Sequence, residues 1–160
     1  MLLWFIGVGC AAVVLVFKSP ALDYRVVALG TVLPLTDLVP GVPPILHTLL
    51  GAVALLAIVM LATRGRRLSR RRWLGLPIGV LVHQVIGGAW LDQELFWWPA
   101  FGTEIPDVAV PTVSSLGVAL VLDALGAVAL WWAWRQFRLD DPARRHELIH
   151  HGRLDRELVP

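Results

Sequence analysis

Residues 110–134 read VPTVSSLGVALVLDALGAVALWWAW, and this stretch decides the fold class. Asp123 is its only ionisable residue, and Trp131, Trp132 and Trp134 crowd its C-terminal end. A helix needs about 20 apolar residues to cross the hydrocarbon core, so Val110–Trp134 is long enough to span. Three further blocks share its character. Leu2–Phe17 has no charge, Pro44–Thr63 holds only His47, and Trp73–Leu91 holds only His83. A fifth stretch, Val26–Val39, is broken by Gly30, Pro34 and Asp37 and reads either as a short crossing or as a re-entrant segment. None of the blocks alternates polar with apolar residues, which excludes a β-barrel.

The composition agrees. The chain has 160 residues, 57% hydrophobic and 16% charged, with a mean hydropathy of +0.69. Soluble domains run at roughly 45–50% apolar and about 25% charged. The expectation is an all-α polytopic membrane helical bundle of four transmembrane segments, with Val26–Val39 as the fifth. The bundle fills residues 1–134, and a charged cytoplasmic tail follows at 135–160. Such a chain is neither a disordered regulator, nor an ordinary cytosolic enzyme, nor a secreted disulfide scaffold. Its single cysteine, Cys10, has no partner for an internal bridge. The first block lacks a basic leader and reads as a retained helix.

Charge placement gives the orientation. Arg64, Arg66, Arg67, Arg70, Arg71 and Arg72 share one short loop, and Arg135, Arg138, Arg144, Arg145, Arg153 and Arg156 share the tail. Positive-inside bias puts both in the cytoplasm. The loop from Asp92 to Asp107, with Asp92, Glu94, Glu104 and Asp107 and no basic residue, then lies outside. Trp90, Trp97 and Trp98 fall at the outer boundary, and Trp73, Trp131, Trp132 and Trp134 at the inner one.

Ionisable groups at membrane depth mark candidate sites. Four stand out: Asp37, His47, His83 and Asp123. Each also has an ordinary reading. Asp37 can anchor the Pro40-Gly41 turn, and His47 can bond a carbonyl or water near the interface. His83, beside Gln84, can make a packed interhelical hydrogen bond. It reaches the same wet pocket as His47 if Gly87-Gly88 ends its helix. Asp123 and His83 read as an intramembrane polar pair.

Four short elements occur in order: Leu33-Pro34-Leu35-Thr36-Asp37, Leu46-His47-Thr48-Leu49-Leu50-Gly51, Leu81-Val82-His83, and Phe96-Trp97-Trp98-Pro99. From Tyr24 to Phe101 the order resembles the inner-membrane metal-dependent hydrolases of the LexA-regulated YdjM-like group. The resemblance implies a bacterial-type inner-membrane location and a divalent metal such as zinc near the outer face. The location of such a site, open to the outer face, points to a substrate among lipids or envelope esters. Asp37, His47 and His83 match the family's ligand positions, and Asp92 substitutes for a carboxylate that Gly87 replaces, provided the chain bends at the two glycines. Leu35 stands where the family's pattern has a further aspartate. A hydrolytic metal site takes about three His or Asp/Glu ligands and leaves a position for water, whose pKa it lowers.

Two other function classes follow from the same residues. One is a non-catalytic membrane scaffold or assembly protein that has lost the metal. The other is a small oligomeric transporter built on His83 and Asp123. His146-Glu147-Leu148-Ile149-His150 in the tail satisfies the H-E-x-x-H pattern. Flanked by Arg144 and Arg145, it reads as a charged amphipathic helix at anionic lipid. The arginine loop reads as topology and headgroup contact, without a nucleic-acid partner.

Overall fold

A computed structural model describes residues 1–20, 22–39, 41–102, 116–155 and 157–159. The described residues are helical, without a strand. Eight α-helices follow one another: α1 (Leu2–Phe17), α2 (Tyr24–Val32), α3 (Leu49–Ala62), α4 (Arg67–Trp73), α5 (Gly75–Ile86), α6 (Gln93–Phe96), α7 (Leu116–Gln136) and α8 (Pro142–His151). Short 3-10 turns at Leu33–Leu38, Ile45–His47 and Ala89–Leu91 join them.

Helix lengths correct the expected four- or five-span bundle. At 1.5 Å per residue, α1 rises about 24 Å, α3 about 21 Å and α5 about 18 Å, short of a core of about 30 Å. Among the described residues only α7, with 21 residues, is long and apolar enough to cross a membrane. The multi-pass reading is therefore set aside.

Local chemistry explains where the blocks stop. Pro34 turns the segment after α2 into a 3-10 helix, so Val26–Val39 is not one regular helix. Pro44–Thr63 loses its first turns to the 3-10 element at Ile45–His47, and the Thr48 side chain caps α3 by accepting from Gly51 N at 2.9 Å. Trp73 belongs to the arginine-rich α4. Gly88, in the left-handed region at φ 74, separates α5 from the next 3-10 turn. Residues 110–115 of the expected last span, with Glu104, Asp107 and Arg156, lie outside the described residues.

Small residues set the packing. α2 runs parallel to α5, and a Cβ on Gly79 would sit 2.7 Å from the Gly30 Cα. α1 meets α7 in the same way, since a Cβ on Gly7 would collide with the Gly126 carbonyl. Two such crossings bring backbones together without a polar bond, a packing mode common among helices in lipid. The apolar core lies toward one end of the bundle, where Val13 and Val14 of α1 meet Tyr24, Val27, Phe137, Leu139 and Leu154. The C-terminal segment is thus packed onto the helices. Lys18, Arg25, α4 and Arg135 lie at this end, and Asp37, His47 and His83 lie at the opposite one.

Candidate functional site

Three elements assemble the polar cluster at that opposite end. The 3-10 helix after α2 presents Asp37, the one before α3 presents His47, and the last turns of α5 present His83 and Gln84. All four residues are buried. Asp37 Oδ2 lies 3.0 Å from His47 Nδ1 and accepts from Leu46 N at 2.8 Å. Since a carboxylate oxygen can only accept, His47 carries its proton on Nδ1. His83 Nδ1 lies 2.7 Å from the Thr31 carbonyl, so it too is the donor.

Rings complete the packing. Phe5 of α1 stacks on His83 with centroids 3.8 Å apart, and the His47 ring meets His83 edge-on at 5.3 Å. Gln84 Nε2 donates to the carbonyls of Leu46 and Thr48, at 2.9 and 2.8 Å. Its Oε1 is buried without a partner among the described residues. Burial pushes the His83 imidazole down to about 4, against a weaker upward pull from its bond to Thr31. His83 is therefore neutral near pH 7.

The structure brings Asp37, His47 and His83 together, but not as a group that binds a metal, which corrects the metal-binding expectation. Among the described residues, no group of three or more His, Cys, Asp or Glu could hold a metal ion. Asp37 faces the imidazole it would have to share a metal with, at hydrogen-bond distance, and so orients His47. Asp92 is committed elsewhere: its Oδ1 accepts from Leu95 N at 3.1 Å and caps α6. Asp123 and His83 have separate partners. Asp123 pairs with the Met1 ammonium and accepts from Trp4 N at 3.2 Å. His146 and His150 share one face of α8, with ring centroids 4.0 Å apart, and Glu147 pairs with His151 at 3.4 Å.

A second polar centre, Asp23, escaped the sequence reading. Arg25 grips it through two bonds, Nε to Oδ1 at 3.1 Å and Nη2 to Oδ2 at 2.9 Å, and Arg72 Nε approaches Oδ2 at 3.1 Å. Burial would raise this carboxyl, but the Arg25 hydrogen bonds and charge outweigh burial and hold it below the ordinary value of 3.8. Arg25 Nη1 also donates to the Ile149 carbonyl at 2.7 Å, and Tyr24 N donates to Gly152 O at 2.9 Å. Asp23 therefore ties α2, α4 and the end of α8 together. The available signal was an aspartate at a helix N-cap with arginine two residues on.

Compared with protein-family models, curated proteins and solved structures, the chain matches none of them. Among the described residues, fold and site together define a helical protein with one candidate membrane span and a buried Asp-His-His cluster.

Proposed function

We propose that the chain is a membrane-anchored, non-catalytic scaffold or assembly protein, in which the Asp37-His47-His83 cluster clasps one end of the helices. The hydrogen bonding of the cluster carries this reading. Asp37 Oδ2 is engaged by His47 and Leu46, His83 Nδ1 by Thr31, and Gln84 Nε2 by two carbonyls. Every one of these bonds joins separate elements, which is what a structural clasp requires.

α7 supplies the anchor. Gly126 is its only buried residue, and Leu116, Leu120, Val121, Leu125, Val128 and Trp131 are exposed. So much apolar surface is costly in water and fits acyl chains. With α7 across the bilayer, the arginine-rich end faces the cytoplasm, in line with positive-inside bias.

The test uses the full chain purified in detergent, with Asp37→Asn and His47→Gln variants. The clasp predicts a lower unfolding midpoint in both variants and no tightly held metal after zinc loading and gel filtration. One metal per chain, lost in the variants together with hydrolysis of a lipid ester, would overturn the reading.

A further inference from the structure

Beside Asp23 the arginine-rich end opens into a cavity of about 590 Å³, lined by Arg25, Arg71, Arg72, Arg153 and His150 among others. Four arginines and one carboxylate line it, and that carboxylate is already paired with Arg25 and Arg72. Arg71 and Arg153 have no ion pair or hydrogen bond from their side chains among the described residues. Arg72 meets Asp23 through Nε, at 3.1 Å from Oδ2. The lining thus holds three positive charges beyond what Asp23 neutralises.

Like charges converge on a cavity at a cost unless an anion shares it. Guanidinium forks match the oxygens of a phosphate in pairs, and a phosphomonoester offers three such oxygens with a charge of about −1.5 to −2 near pH 7. The volume falls in the range of small-molecule sites, about 300–1,000 Å³, and leaves room for an organic group behind the phosphate. We propose that this cavity binds a phosphomonoester, with Arg71 and Arg153 as its primary clamps and Arg72 held in place by Asp23. The proposal does not depend on α7 crossing a bilayer. A lipid headgroup and a soluble phosphate ester share this chemistry.

Calorimetric titration of the full chain in neutral detergent distinguishes the sources. The probes are short-chain phosphatidic acid, short-chain phosphatidylglycerol and glycerol 3-phosphate. Phosphatidic acid is expected to bind at least tenfold more tightly than phosphatidylglycerol, a diester. Competition by glycerol 3-phosphate assigns the site to soluble esters, and its failure to compete assigns it to the lipid. Arg71→Gln with Arg153→Gln should lower affinity at least tenfold while leaving the unfolding midpoint in place, because neither residue joins the Asp23 contacts. Arg153→Lys, which keeps the charge and loses the fork, should lower it severalfold. Equal binding of monoester and diester would overturn the proposal. So would an equal loss on removing two arginines outside the cavity, through Arg64→Gln with Arg145→Gln.

Discussion

His47 is held through its Nδ1 by Asp37, 3.0 Å away, and the same carboxylate oxygen accepts the backbone N–H of Leu46. One buried acid therefore fixes both the side chain and the backbone of the turn that starts α3. A carboxylate used in this way acts on the fold first.

Removing it should be expensive. Asp37→Ala leaves the buried His47 Nδ1–H and the part-buried Leu46 N–H without an acceptor, and a buried orphaned donor costs roughly 1–3 kcal/mol. Asp37→Asn keeps one carbonyl acceptor and should cost about half as much. Chemical unfolding in detergent reads the difference, and equal stability of both variants and the parent would contradict the clasp.

His83 makes stability depend on pH. Its folded pKa, about 4, lies below the usual 6.5, so the unfolded chain takes up a proton first. The stabilisation is whole above pH 6.5 and is lost as the pH falls toward 4. The amount is on the order of 3 kcal/mol, at 1.36 kcal/mol per unit. Asp23, held below 3.8, adds a loss only in more acid solution. In His83→Gln, the plot of unfolding free energy against pH should be flatter between 6.5 and 4 than in the parent.

The glycine crossings give a paired test. Gly79→Ala places a methyl 2.7 Å from the Gly30 Cα and should destabilise by more than about 2 kcal/mol. Gly117→Ala, on α7, meets nothing within 4 Å and should be neutral or stabilising by up to about 1 kcal/mol. Comparing the unfolding midpoints of the two variants checks the α2–α5 contact directly.

Much of this was legible in the residues, and the gaps have physical causes. Apolar content and the missing alternation pointed to helices, and the order of Asp37, His47 and His83 placed them at neighbouring helix ends. Hydropathy counts apolar residues, however, and does not see where a helix breaks. Pro34, the turn at Ile45–His47 and Gly88 cut three apolar blocks into helices too short to cross. The Gly30/Gly79 and Gly7/Gly126 approaches, like the Asp23 hub, depend on partners far away in sequence. Ligand spacing likewise cannot reveal that Asp37 would spend its oxygen on His47.

Membrane anchoring by α7 has its own test. Leu125→Arg, on the exposed face of α7, should disfavour insertion by about 2.5–3.5 kcal/mol. The variant should move from the carbonate-resistant membrane fraction to the soluble or aggregated one. Leu68→Arg, on α4, changes a residue that is more exposed still, 80% against 50% for Leu125, and should leave the distribution unchanged.

Imidazole ¹⁵N spectra of the detergent-solubilised chain, recorded near pH 7 before and after adding zinc, probe the clasp most directly. The account predicts that His47 and His83 both carry their proton on Nδ1, and that neither ring's resonances move when zinc is added. Large zinc-dependent shifts at both rings, abolished by Asp37→Asn, would contradict it.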